Sequence, residues 1–238
     1  MSKVLIVAVE YMEPEWQQTK TLIEKLAADY NGSGNGSCTV KYVGRDGVGS
    51  LAEAYNRGFR KAQGHEYDYV WLLSNISSVS GFVTGEVKDP ISILIEHMCV
   101  FDLPGLPSEV AATHPAFESD HLHLRPKKDM DWEAAPYIEF TAPFIRAEIF
   151  AKYPLDEAMP YWGHDLDWSY RVAQAGYTLT VDHSVVLGHS YIRHSKANGT
   201  LHAVTRRRLM LRRRSDKSTE AALVAKYGKM WRNVLRWL

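Results

Sequence analysis

Two carboxylates two residues apart, Asp165 and Asp167, are the most chemically suggestive feature of the chain. They lie in the stretch Tyr161-Trp-Gly-His-Asp-Leu-Asp-Trp-Ser-Tyr-Arg-Val-Ala-Gln-Ala-Gly-Tyr177. The pattern predicts a loop ending at Gly163, a helix from about Asp165 to Ala175, and a stop at Gly176. Glycine just past the last helical residue is the usual left-handed terminator. Both acids fall in the first turn, where the helix dipole favours negative charge. Residues two apart do not share a helix face. One acid can therefore enter a cleft as a proton acceptor while the other is structural. The competing reading is a charged first turn and nothing more, with Asp167 and Arg171 forming an i, i+4 ion pair.

Residues at strand ends form a second group. Lys3-Val-Leu-Ile-Val-Ala-Val9 is apolar and β-branched, as in a strand buried on both faces. Trp16 to Tyr30 predicts a helix, with Trp16, Thr19, Leu22, Ile23 and Leu26 on one face. Asn31 to Ser37 reads as a surface loop. Thr39–Val43 predicts a second strand, Ser50 the cap of a helix to about Gln63, and Asp68–Leu73 a third strand. This βαβαβ order predicts an α/β fold with a parallel sheet and right-handed crossovers. Ligands of such sheets bind beyond the carboxyl ends of the strands. Those ends are Glu10–Glu13, Gly44–Gly49 and Ser74–Ser78.

Further on, Asp89–Met98 predicts a helix with proline in its first turn. Asp102 to Trp132 reads as irregular, with a strand at Val110–Thr113 inside it. Tyr137–Thr141 predicts a strand, Ile145–Lys152 a short helix, and Tyr177–His183 with Val185–Gly188 further strands. His114, His121 and His123 crowd the irregular stretch; they suit acceptor contacts, plain exposure, or, less favoured, a metal.

The order of these motifs resembles the family-2 inverting glycosyltransferases of GT-A fold. Four segments carry it: Val4–Tyr11; Gly49-Ser-Leu-Ala-Glu-Ala-Tyr-Asn-Arg-Gly-Phe59 followed by Tyr69-Val-Trp-Leu-Leu-Ser-Asn-Ile76; Phe140–Phe150 running into Gly163–Arg171 and Ala175-Gly-Tyr177; and Gly188-His-Ser190. The resemblance implies a GT-A-like domain over residues 1–195 that uses a nucleotide-diphosphate sugar, UDP-linked by preference. It implies Asp165 as the base that deprotonates an acceptor hydroxyl, with Asp167 in support, orienting Arg171 or the acceptor. Glu10, Tyr11 and Asp46 fall where nucleobase and ribose would sit, and Arg57 where phosphate would. Two departures stand out. The family's acidic metal motif is Ser74-Asn75-Ile76, without a carboxylate, and hard cations want oxygen ligands. Asn75, Ser77 and His189 are what remains to hold Mn²⁺ or Mg²⁺, or the diphosphate directly. His164 stands where the family often has Glu.

Net charge is zero, yet residues 196–238 hold 12 Lys/Arg and 2 acids, leaving 16 against 26 for the rest. An acidic body with a basic appendage is expected to meet something anionic. Arg206, Arg207, Arg208, Arg212, Arg213 and Arg214 are the densest part. A final helix is predicted from Ser218 or Thr219, with Leu223, Tyr227, Met230, Val234 and Leu238 as its apolar stripe. Three readings compete for this extension: packing on its own domain, lying on an anionic membrane, or binding nucleic-acid phosphates. A glycosyltransferase acting on a hydroxymethylated base in DNA follows from the third, and one acting on a lipid or polysaccharide acceptor from the second. A non-catalytic binding module on a degenerate GT-A scaffold is the rival from another class. A nucleotidyltransferase fits less, because Glu10-Tyr-Met-Glu-Pro14 lacks the expected glycine-rich basic loop. Two cysteines without a CxxC, no apolar run of about 18 residues and no signal-like N-terminus lead to a cytoplasmic expectation.

Overall fold

Side chains alternate across a strand, and in the opening strand both faces are apolar. In the computed structural model, β1 (Ser2–Val9) is buried from Val4 to Val9. Val4, Ile6 and Ala8 enter one core, and Leu5, Val7 and Val9 the other. The strand therefore lies inside a sheet covered on both sides. The structure describes residues 1–10, 15–44, 50–74, 76–83, 86–100, 109–117, 122–159, 162–189 and 217–235.

β2 (Gly36–Val43), β1 and β3 (Tyr69–Leu73) run parallel, linked through α1 (Glu15–Gly32) and α2 (Leu51–Lys61), as the βαβαβ pattern predicts. Ser50 caps α2, its hydroxyl accepting from the Glu53 amide at 3.0 Å. Gly58 lets α2 lie close on the sheet: a Cβ there would sit 2.4 Å from Val7 Cγ1. The chain continues through β4 (Ile76–Val83), β5 (Glu86–Val87), α3 (Pro90–Val100), β6 (Val110–Phe117), β7 (Trp132–Ala134), β8 (Phe144–Arg146), α4 (Ala147–Lys152), α5 (His164–Gln174) and β9 (Thr178–His189). The sheet has nine strands in the order β2-β1-β3-β8-β6-β9-β4-β5, with β7 on β9. Taking β1 as reference, β2, β3, β6, β9 and β5 run its way and β8, β4 and β7 against it, so the sheet is mostly parallel. Helices α1 and α3 cover one face; α2, α4 and α5 cover the other.

Several sequence expectations change. α1 extends to Gly32 and β2 starts at Gly36, so the loop expected over 31–37 is short. Residues from Ile76 onward, expected as a strand-end loop, form β4, because β9 offers an antiparallel partner. The stretch read as irregular contains all of β6, buried end to end. Its Pro115 coincides with a register shift against β9, where a missing N–H is tolerated. Tyr137–Thr141 keeps its alternation, with Ile138 and Phe140 buried, but joins no ladder. Phe144–Arg146 is a strand, and the helix starts only at Ala147. The expected single C-terminal helix is two: α6 over 217–227 and α7 (Trp231–Val234), separated at Gly228, whose φ is +76°.

One partly buried histidine of this frame makes stability depend on pH. His97 on α3 places Nδ1 2.6 Å from Asp182 Oδ2 on β9, and Asp182 also accepts from the Ser184 and Val185 amides. Burial alone would lower the His97 imidazole; the hydrogen bond and charge of Asp182 outweigh it and raise it. A raised folded-state pKa contributes stability that is complete below the unfolded value of about 6.5 and is lost as pH rises through the folded value. Melting followed from pH 6 to 9 is therefore expected to show a His97-dependent decline above about 6.5. His97→Gln should remove that decline, and an identical profile in the variant would refute the assignment.

Candidate active site

The loop between β7 and β8 joins two halves of a site. At its far end the Ser74 amide, just past β3, donates to Thr141 O at 3.0 Å. Tyr55 on α2 donates to Phe140 O at 3.2 Å, and Trp71 Nε1 to Ala142 O at 3.0 Å. At its near end the Ile138 amide donates to Ser169 Oγ on α5, at 3.2 Å. Tyr137 and Glu139 are half-buried on the other side of this loop, and Tyr137 lies within electrostatic reach of both Glu139 and Asp165. Burial, then the charges of Glu139 and Asp165, hold the Tyr137 phenol above its ordinary value, so it stays a protonated donor. His123, in a 3₁₀ turn (Leu122–Leu124), packs edge-on against Tyr137 at 4.8 Å, with Nε2 3.2 Å from Tyr137 O.

Asp165 occupies the first turn of α5 and is partly exposed, its Oδ1 accepting from the Leu166 amide at 2.9 Å. The helix begins at Gly163, whose φ of +83° suits glycine, and is followed by Gly176 at +90°. Asp167 points the other way and is fully buried. Arg171 Nε donates to its Oδ2 at 2.8 Å, Tyr227 Oη to its Oδ1 at 2.6 Å, and Lys226 Nζ lies 2.6 Å from Oδ1. This corrects the substrate-facing half of the role expected for Asp167. A carboxylate with no exposed surface and three donors orients Arg171 and cannot contact an acceptor. His164 is buried too, with Nδ1 3.3 Å from Met159 O; burial, against the pull of Asp165 and Asp167, keeps its imidazole below the ordinary value.

At the carboxyl end of the sheet, Glu10 and Arg57 converge on the end of β2. The Glu10 amide donates to Val43 O at 3.0 Å, and a Cβ on Gly44 would meet Glu10 Oε2 at 3.6 Å. Arg57 Nη2 donates to Gly44 O at 3.2 Å. The register pairs Ile76 with His189, so the backbones at the start of β4 and the end of β9 are neighbours beside the end of β3. Tyr11, Asp46, Asn75 and Arg206 to Arg214 lie outside the described residues, as do the Ser77 and His189 side chains.

The position at which the resemblance would put a metal-binding carboxylate is Ile76, an apolar core residue. Ile76 is 1% exposed and belongs to the apolar core, while its carbonyl accepts from Thr19 Oγ1 at 2.7 Å. Among the described residues no group of three or more His, Cys, Asp or Glu could hold a metal. His114 is committed to Pro115 O at 2.6 Å and to the Ala142 amide at 3.3 Å, which removes it from the histidine cluster weighed above.

Sequence reasoning missed Tyr137, Glu139, Tyr227 and Lys226. The alternation of Tyr137-Ile-Glu-Phe-Thr141 carried a signal for the first two, since the partners of Ile138 and Phe140 face inward. For Tyr227 and Lys226 there was only helical spacing, which says nothing about what the helix meets.

No family model and no curated protein sequence matches the chain. Among solved structures it is similar to GalNAc-T7 solved with UDP, GalNAc and Mn²⁺: TM-score 0.52 and 15% identity, over 80% of this chain and 44% of that one. It is also similar to a variant of Drosophila β1,4-galactosyltransferase 7 solved with manganese, UDP-Gal and xylobiose. There the TM-score is 0.47 and the identity 14%, over 83% and 75% of the two chains. The chain thus spans less than half of GalNAc-T7. The fold is that of the GT-A glycosyltransferases.

Proposed function

We propose that the chain transfers a sugar from a nucleotide-diphosphate donor, UDP-linked by preference, to a hydroxyl acceptor with inversion. The observation that carries this is the placement of Asp165: partly exposed in the first turn of α5 and within electrostatic reach of Tyr137, whose loop is bonded to the end of β3. The acceptor oxygen attacks the anomeric carbon as Asp165 takes its proton, and the bond from that carbon to the diphosphate breaks on the opposite side. Glu10, Tyr11 and Asp46 hold the nucleoside, and Arg57, Asn75 and His189 the diphosphate. Among the described residues no group of three or more His, Cys, Asp or Glu could hold a divalent cation, and no step is routed through one. A likeness to GalNAc-T7, itself solved with UDP and GalNAc, supports the choice of donor.

For the acceptor we infer a hydroxymethylated base in DNA. The supporting observation is the Arg206–Arg214 run on an otherwise acidic chain. The membrane reading is weaker, because the C-terminal helices bury Leu223, Trp231 and Leu235 against Met159, Trp162, Leu166 and Tyr170; of the predicted stripe Leu223 is fully buried, while Met230 is exposed. Among the described residues no helix is long and apolar enough to cross a membrane. Mass spectrometry of nucleotide sugars incubated with hydroxymethylated DNA and with lipid acceptors tests both. Six arginine–phosphate contacts would weaken duplex binding about a thousand-fold between 50 and 200 mM salt. Replacing Arg206, Arg207, Arg208, Arg212, Arg213 and Arg214 by Gln should flatten that slope; salt-insensitive or absent binding would overturn the DNA reading. Absence of nucleotide-diphosphate binding in calorimetry, with and without Mn²⁺, would instead favour a non-catalytic scaffold.

A further inference from the structure

We infer that the C-terminal helical pair positions Asp165: Tyr227, together with Lys226, holds the buried Asp167 carboxylate and so fixes the first turn of α5 toward the acceptor. The inference rests on reading Asp165 as the base. Four observations carry it.

First, Gly163 at the N-cap of α5 offers no capping side chain, so the start rests on the bond from the Asp167 amide to Gly163 O, at 2.8 Å, and on Asp165 Oδ1 accepting from the Leu166 amide. Second, α6 seats directly on that start. A Cβ on Gly163 would lie 2.8 Å from Thr219 Cγ2 and 3.4 Å from Leu223 Cδ1. Third, Trp162, the residue before the cap, packs against Trp231 of α7 at 6.3 Å, and Tyr170 on α5 packs edge-on against Tyr227 at 5.4 Å. Fourth, the polar contacts converge on one carboxylate. Tyr227 and Lys226 reach Asp167 Oδ1, and Lys226 also reaches Asp156 Oδ2 at 3.0 Å, tying the segment before α5 to the same point.

Successive helical residues are turned by about 100°, so Asp165 lies roughly 200° around α5 from Asp167. A carboxylate anchored on the α6 side of the turn therefore sets where the other one points. Burial, and then the bond to Asp167, raise the Tyr227 phenol, which remains a protonated donor at any working pH. Tyr227 and Lys226 touch no reacting atom in this account; they are positioning residues.

The test uses the full chain. Tyr227→Phe removes the hydroxyl and keeps the ring on Tyr170. Turnover is expected to fall about tenfold, near the cost of one lost hydrogen bond to a charged group. Donor Kd and donor KM should stay within about twofold, and tryptophan fluorescence from the Trp162–Trp231 pair should be unchanged. Lys226→Met is expected to behave alike. Glu220→Gln, which loses an exposed pair with Arg232 and leaves Arg232 stacked on Trp231, should leave turnover as it was. Full activity in Tyr227→Phe while Asp165→Asn is inactive would overturn the positioning role alone. Parallel losses of donor binding and turnover would overturn it too, since they indicate general unfolding. An active Asp165→Asn would overturn the base assignment underneath it.

Discussion

Asp165→Asn is expected to reduce sugar transfer by at least a hundredfold, and by up to about ten-thousandfold, with nucleotide-diphosphate binding unchanged. That is the range in which general-base assistance contributes. The asparagine keeps size and shape and can still accept from the Leu166 amide, as Asp165 Oδ1 does at 2.9 Å. What it loses is the ability to take a proton. The partial exposure of Asp165 means that no buried partner is stranded by the change, so melting should move little. Single-turnover kinetics with donor in excess, set beside calorimetric Kd values, separate chemistry from binding. Near wild-type turnover in this variant would remove Asp165 from the mechanism, and with it the strongest link between this fold and the proposed reaction.

The second large effect concerns stability. Asp167→Ala is expected to cost about 3 kcal/mol, near the lower end of what breaking one side of a buried ion pair costs. The carboxylate is fully buried, but the cations it leaves behind are not: the side chains of Arg171 and Lys226 are 24% and 33% exposed. They can rehydrate in part, and each has a second partner, Pro154 O at 2.7 Å and Asp156 at 3.0 Å. The Tyr227 hydroxyl loses its acceptor altogether. For a chain of this length that cost lowers Tm by roughly 10 °C. Glu220→Gln on α6 makes the contrast. Its pair with Arg232 also spans 3.0 Å, yet the two side chains are 48% and 61% exposed, and the change should be close to neutral. Scanning calorimetry of both variants checks the pair of expectations. A loss below about 1 kcal/mol in Asp167→Ala would mean that the C-terminal helical pair is held by its apolar contacts, Leu223, Trp231 and Leu235 among them, rather than by the buried carboxylate.

These two acids also show how much of the site was legible in the linear chain. Position in a helical turn is a local property, so the start of α5, its stop at Gly176 and the divergence of Asp165 from Asp167 followed from spacing. So did β1, β2, β3 and the Ser50 cap, because buried parallel strands and capped helices leave unbroken apolar runs and polar punctuation. The structure adds that the glycine and small residues of α2 serve packing, Gly58 against Val7 above all. Asn56 of the same stretch is buried and binds Leu155 O and Glu157 Oε1, both at 2.9 Å, so it stitches the approach to α5 rather than a ligand.

By itself, then, the chain determined which segments could be helix or strand, where the carboxyl ends of the first three strands would gather, and that a basic run is concentrated near its end. All of these depend on neighbours a few residues away. Only the tertiary structure decided which of the two carboxylates is buried. That depends on Tyr227 and Lys226, 60 and 59 positions further on, and on α6 finding α5 as its apolar partner. It also decided that β6 is a central strand and that 137–141 is not one. Strand pairing depends on which edges meet, and an alternating pattern does not carry that information.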